Sequence, residues 1–133
     1  MDVYISDEAW QGLRAEAVEP SRRKASGLLL GHRRGGRFYV ERIHPFPFAL
    51  VSKAQSYLRL DRIFRGTIIG FYFSGRHSKA LARKLPPFST NKLYLEFDRH
   101  PKKELVLKPA LVEYTNSFQL VPVALAERPK RKR

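Results

Sequence analysis

The chain has 133 residues, a length that suits one domain built around one hydrophobic core. It contains no cysteine, which excludes disulfides, zinc ribbons, iron–sulfur clusters and thiol catalysis and fits a reducing compartment. Its 26 lysines and arginines against 12 acidic residues give a formal net charge of +14, which attracts polyanions: nucleic acid, an anionic membrane or an acidic protein.

The first predicted element is a helix over residues 7–17, where apolar residues recur at helical spacing. Ser6 fits the N-cap position, and the acids Asp7 and Glu8 fall in the first turn, where the helix dipole favours negative charge. The sequence Glu19-Pro20-Ser21 then ends the helix, because proline disfavours helical backbone in the residue before it.

The next two elements form a predicted β-hairpin. Residues 26–32 are a short apolar run bounded by glycines, which is typical of a buried strand. Arg33-Arg34-Gly35-Gly36 is the turn, since glycine adopts positive φ readily. The return strand starts at residue 37, and His44-Pro45-Phe46-Pro47 closes it because proline cannot donate to a strand ladder.

The rest of the chain is predicted to consist mainly of strands. Residues 67–73 are the clearest buried strand, whereas residues 56–62 fit either a strand or a short helix. Residues 77–87 are predicted to be a loop, with room for one basic helical turn. Three late strands are predicted at residues 92–97, 105–115 and 118–124, with turns at 98–101 and 115–117.

No local pattern for catalysis is present in the sequence. The Gly-x-Ser-x-Gly elbow is absent, because Phe73-Ser74-Gly75 lacks its leading glycine. The glycine-rich segment 31–36 lacks the Lys-Ser/Thr ending of a P-loop. The four histidines show no zinc-ligand spacing; they are His32, His44, His77 and His100. We therefore predict no metal, no cofactor and no enzymatic activity.

Three short motifs follow one another along the chain. They are Ser26-Gly27-Leu28-Leu29-Leu30-Gly31, Ile68-Ile69-Gly70-Phe71-Tyr72-Phe73-Ser74 and Pro87-Phe88-Ser89. This order resembles the JAB1/MPN/Mov34 (JAMM) family of zinc-dependent isopeptidases, especially its short bacterial form, over about residues 3–125. The resemblance implies an α/β (α+β) fold of the cytidine deaminase-like kind, with a mixed β-sheet flanked by helices. That domain would span residues 1–126, followed by a basic tail at 127–133.

The polar residues that the family uses to bind zinc are replaced. Lys24 stands at the position of the catalytic glutamate, and Lys92 stands at that of the aspartate ligand. The two zinc-binding histidines correspond to Phe73 and Gly75. Because zinc needs about three protein ligands and an activated water, the resemblance implies a pseudoenzyme without zinc.

One polar residue of the family motif is retained. Ser74 matches the position whose hydroxyl assists the tetrahedral intermediate in active members, so it is vestigial here or simply a small residue capping a buried strand. Arg76 takes the place of the proline after the histidines. Lys24, Arg76 and Lys92 are predicted to converge at the former metal site as an anion pocket, unless the two lysines are unrelated surface residues.

The predicted function is that of an inactive MPN-like protein-interaction or scaffolding module. Its partner would be a protein, such as another MPN-type subunit or a second copy in a dimer. The apolar residues Phe46, Phe48, Ala49 and Leu50 suit an interface or, equally, a packed loop. One alternative is an RNA- or DNA-binding module, which steep salt dependence would reveal. The other is a peptidase or isopeptidase with a relocated site.

The residues predicted to bind an anionic partner are all basic. They are Arg22, Arg23, Lys24, Arg33, Arg34, Arg76, Lys79, Arg83, Lys84, Lys92, Arg128, Lys130, Arg131, Lys132 and Arg133. No run approaches the roughly 18 apolar residues of a membrane span, and the sequence from Met1 to Ile5 lacks a signal-peptide pattern. A soluble cytoplasmic protein that does not bind membranes is expected.

Overall fold

One mixed β-sheet of eight strands organises the chain in the computed structural model, which describes residues 1–18, 25–47, 53–74, 91–97, 106–114 and 118–126. The strands are β1 Asp2–Ile5, β2 Ser26–Arg34, β3 Arg37–Pro45, β4 Ile68–Ser74, β5 Leu93–Phe97, β6 Leu107–Tyr114, β7 Phe118–Pro122 and β8 Ala124–Leu125. The described helices are α1 Asp7–Val18 and α2 Ala54–Ile63. The predicted α+β class is confirmed.

The strand order is β7-β6-β5-β4-β2-β3-β1-β8. β4 runs parallel to β5, and β1 runs parallel to both β3 and β8, whereas the other neighbours are antiparallel. Only Val123 separates β7 from β8, and its N–H donates to the Pro109 carbonyl in β6 at 3.1 Å. One continuous segment therefore pairs with β6 at its start and with β1 at its end, which nearly closes the sheet.

Two local predictions are confirmed in detail. The Ser6 hydroxyl caps α1, because its Oγ accepts a hydrogen bond from the N–H of Ala9 at 3.1 Å. The same hydroxyl donates to the carbonyl of Glu41 in β3 at 2.6 Å, so the cap also ties the helix to the sheet. The β2–β3 turn is made by Gly35, at φ 59°, and Gly36, whereas Arg33 and Arg34, which were predicted in the turn, belong to β2.

One strand was not predicted from the sequence, and one segment that the sequence left ambiguous is now assigned. β1 was not predicted, because it has only four residues and gains its order from pairing with β3 and β8. Residues 56–62 lie in a helix, since Tyr57 and Leu60 pack one turn apart against the sheet. The predicted loop at 77–87, the turns at 98–101 and 115–117, and the tail lie outside the described residues.

Hydrophobic residues cover both faces of the sheet. The α1-side core contains Val3, Ile5, Ala9, Leu13, Ala17, Ala25, Leu29, Phe38, Val40, Ile69, Tyr72, Leu93, Leu95, Phe97, Leu107 and Leu111. The α2-side core contains Leu28, Leu30, Tyr57, Leu60, Ile68, Phe71, Phe73, Tyr94 and Val112. Leu28 pairs with Phe71 and Leu30 with Ile68, all four buried, so the two strands that the sequence predicts to be buried are neighbours in the sheet. In the described part of the chain, no helix has the length and apolar character to cross a membrane.

Candidate functional site

The carboxyl end of β4 is the edge at which the family resemblance places the catalytic centre. Ser74 is only 6% exposed there. Its Oγ accepts a hydrogen bond from the N–H of Ala25 at 2.7 Å, and its own N–H donates to the Ala25 carbonyl at 2.9 Å. These two bonds fasten the end of β4 to the start of β2. The Ser74 hydroxyl therefore has a structural role, as a small residue that caps a buried strand.

Phe73 occupies the first of the two expected histidine positions and points into the α2-side core. It is 4% exposed, and its ring stacks on that of Tyr94 in β5, with centroids 5.0 Å apart and planes inclined by 24°. Burial, aided by the nearby Glu96 carboxylate, raises the pKa of Tyr94. A ring in this position adds to core packing and supplies no metal ligand. Lys24 and Gly75, the other two positions at which the resemblance implies replaced site residues, lie outside the described residues.

The prediction that Lys92 lies at the same edge is wrong. Lys92 immediately precedes β5, whose first residue, Leu93, pairs with Gly70 near the start of β4. Its Nζ donates to the carbonyl of Ile68 at 2.8 Å, and burial lowers the pKa of this half-buried amine. Because β4 and β5 are parallel, Lys92 and Ser74 lie at opposite ends of β4, about 16 Å apart along the strand.

Most of the predicted anion-binding residues lie outside the described part of the chain. They are Arg22, Arg23, Lys24, Arg76, Lys79, Arg83, Lys84, Arg128, Lys130, Arg131, Lys132 and Arg133. Arg33 and Arg34 are described, and both are exposed at the end of β2. The guanidinium of Arg33 lies 5.0 Å from the centroid of the Phe38 ring, a cation–π contact that orients it.

The two described histidines have local neighbours. The Nδ1 of His32 lies 2.6 Å from a carboxylate oxygen of Glu41, and the ring of His44 packs edge-on against Phe64 at 5.0 Å. His77 and His100 lie outside the described residues. Within the described ranges, no three histidine or acidic side chains are grouped so that they could hold a metal ion.

The interface predicted around Phe46 is only partly described. Phe46 is half-buried and packs against the α2-side core, so this residue belongs to a packed segment. Phe48, Ala49 and Leu50 lie outside the described residues.

The sequence reasoning missed the outward face of α2. Leu58 is 57% exposed and Ile63 is 64% exposed, whereas Tyr57 and Leu60 on the other side of the helix are buried. The exposed arginines Arg59 and Arg62 fall between Leu58 and Ile63 around the helix. We call Leu58, Arg59, Arg62 and Ile63 the α2 face. Its signal in the sequence is weak, because it emerges only once residues 54–63 are known to be helical.

An open cavity of about 430 Å³ lies on the β5–β6–β7 part of the sheet. Its lining is mainly apolar and includes the buried Glu96 and the exposed Lys108, which are paired across β5 and β6. Tyr94 also lines it, and the Tyr94 hydroxyl is buried without a hydrogen-bond partner among the described residues. The cavity can make apolar contacts and accept a hydrogen bond at Glu96.

No family model matches this chain, and no curated protein matches it either. Among solved structures, the fold is similar to the solution structure of protein DSY2949 from Desulfitobacterium hafniense, with a TM-score of 0.67. The likeness covers 95% of this chain and 94% of that chain at 20% sequence identity. At this identity the comparison shows a shared fold across nearly the whole of both chains.

Proposed function

We propose that this chain is a non-catalytic MPN-like domain that serves as a protein-interaction or scaffolding module. The observation that carries the proposal is the packing at the end of β4. Phe73 lies within the α2-side core, and the Ser74 hydroxyl accepts the hydrogen bond of the Ala25 N–H. Both side chains stabilise the sheet at the edge where an active member of the family would bind zinc and substrate.

The order of the elements also supports the proposal. The glycine-containing strand β2 forms a hairpin with β3 and pairs with the fully buried β4, and a parallel strand follows β4. A helix lies on each face of the sheet. This arrangement is the mixed sheet flanked by helices that the resemblance implies.

The first test is the metal content of the purified protein. We expect elemental analysis after dialysis to find no stoichiometric zinc, because the resemblance puts Phe73 and Gly75 at the positions of the two histidine ligands and Lys24 at that of the catalytic glutamate. A zinc enzyme dialysed in parallel shows that the procedure retains bound metal. One zinc per chain would overturn the non-catalytic proposal.

The α2 face is the surface that we assign to the protein partner. Burying exposed aliphatic side chains is favourable, and arginine is enriched among the residues that contribute most to binding. Two arginines flanked by the exposed Leu58 and Ile63 fit a partner surface that combines apolar and acidic side chains. A second copy fits less well, because symmetric pairing of this face would bring arginines together.

The second test compares two double variants. The variant Leu58→Ser with Ile63→Ser should lose the partner protein that the wild type retains from nuclease-treated native extract, as identified by mass spectrometry. The control variant, Val106→Ser with Val121→Ser, also removes two exposed aliphatic side chains and should retain it. Retention by the α2 variant, or loss of the partner from the wild type after nuclease treatment, would contradict this assignment.

A further inference from the structure

The cavity on the β5–β6–β7 part of the sheet contains two charges of opposite sign. Glu96 of β5 and Lys108 of β6 are directly opposite each other in the antiparallel ladder, so their side chains project from the same face of the sheet. This is the α2-side face, because Tyr94, two positions before Glu96 on β5, belongs to the α2-side core. The volume of about 430 Å³ falls within the roughly 300–1,000 Å³ of small-molecule sites.

The Glu96 carboxylate lies in the wall of this cavity and has no counter-charge within the described part of the chain. Glu96 is only 8% exposed, and a glutamate is almost never buried to this degree unless it is paired. Among the described residues, its carboxylate forms no ion pair and no hydrogen bond. A positively charged group in the cavity would therefore offset the cost of burying this carboxylate.

Lys108 supplies the positive charge on the exposed side of the cavity. The residue is exposed, and it is not joined to Glu96 by an ion pair even though the two are cross-strand partners. Its ammonium group carries three hydrogen-bond donors on a flexible aliphatic stem. The pair is therefore open, with the negative charge buried and the positive charge next to solvent.

The remainder of the lining is apolar and comes from all three strands. Tyr94 of β5, Ala110 of β6, and Leu120 and Pro122 of β7 all border the cavity. Leu120 also packs against the α2-side core, which anchors this part of the lining. A ligand that fits here needs an apolar group for these side chains, as well as a cationic and an anionic group for Glu96 and Lys108.

We infer that this cavity binds a free amino acid with a large apolar side chain. The ammonium group would lie at Glu96, the carboxylate at Lys108, and the side chain against Leu120 and Pro122. A simple amine would be repelled by Lys108, a simple carboxylic acid would be repelled by Glu96, and the interior of a peptide carries neither charge. This inference goes beyond the scaffolding function and does not rest on it.

NMR titration of the ¹⁵N-labelled full chain with L-phenylalanine tests the inference. We expect a saturable shift of the amide signals of cavity-lining residues, with a Kd below about 1 mM. Three analogues each lack one feature: 2-phenylethylamine has no carboxylate, 3-phenylpropionate has no ammonium group, and glycine has no side chain. Each should bind at least about tenfold more weakly, because it loses a charge-assisted hydrogen bond or the apolar contact.

Two variants assign the charges to their residues. Glu96→Gln preserves the volume and Lys108→Met preserves the aliphatic stem, and each should weaken the binding of L-phenylalanine at least about tenfold. Lys108→Met should also strengthen the binding of 2-phenylethylamine, because the repulsion is removed. The control is Glu113→Gln, which removes a carboxylate from the opposite face of β6 and should change the affinity by less than about twofold.

Circular dichroism melting establishes that each variant is folded, and the comparison of analogues on the wild type needs no variant. The inference is overturned if about 10 mM L-phenylalanine shifts no cavity signals, or if an analogue lacking one charge binds as tightly. It is also overturned if Glu113→Gln loses as much affinity as Glu96→Gln. None of these results would alter the zinc analysis or the capture of a protein partner.

Discussion

Replacement of Phe71 by alanine is expected to destabilise the protein by about 3–5 kcal/mol, because it opens a cavity at the centre of the sheet. Phe71 is 1% exposed and lies between Leu28 of β2 and Tyr94 of β5. Its ring is also 6.3 Å from that of Tyr57, so α2 rests partly upon it. The free energy of unfolding in urea measures the effect.

Phe71→Leu is the matched control for this prediction. Leucine fills most of the same volume, so we expect a loss of less than about 1.5 kcal/mol. A loss below about 1 kcal/mol for Phe71→Ala would mean that the site collapses around the cavity or that Phe71 does not hold this central position.

Gly70→Ala is expected to lower the free energy of unfolding by about 3 kcal/mol, because there is no room for an additional atom at this position. A Cβ at this position would contact the carbonyl oxygen of Leu93 and would come within 2.7 Å of the Leu93 Cβ. Gly70 and Leu93 are paired in the parallel β4–β5 ladder, so relief of the contact requires the two strands to separate.

The same substitution at Gly36 serves as the control. Its added Cβ would have only the backbone of Met1 nearby, at 3.8 Å, and we expect Gly36→Ala to cost less than about 1 kcal/mol. Urea unfolding of the two variants side by side measures the difference. Equal stabilities would show that β4 and β5 are less closely paired than the structure describes.

The sequence was informative where the decisive interactions are local. Ser6 and the residues after it have the pattern of a capped helix, and Gly35 marks the hairpin turn, because caps and turns are made by neighbouring residues. β4 was recognisable because both its faces are buried, which makes nearly every residue apolar. The short β1 has no such pattern, since long-range pairing provides its order.

The candidate site was less predictable because its parts depend on strand direction and register. The family resemblance placed Lys92 at the same edge as Ser74, but a parallel connection must return the chain to the opposite end of the preceding strand. The contact between Tyr4 and Tyr39 was not predictable either, because Tyr4 lies on the unpredicted β1 and becomes a neighbour of Tyr39 only through strand pairing. The α2 face could not be predicted, because the periodicity of residues 56–62 fits both a strand and a short helix.

The segment that joins β7 to β8 has a consequence for how the protein folds. β1, close to the beginning of the chain, acquires its outer neighbour only when β8 arrives, and the N–H of Ala126 then donates to the Val3 carbonyl at 2.8 Å. Forming contacts between such distant parts of a chain costs loop-closure entropy, and this cost slows folding. During synthesis the outer edge of β1 therefore stays unpaired until the segment around Val123 has emerged from the ribosome.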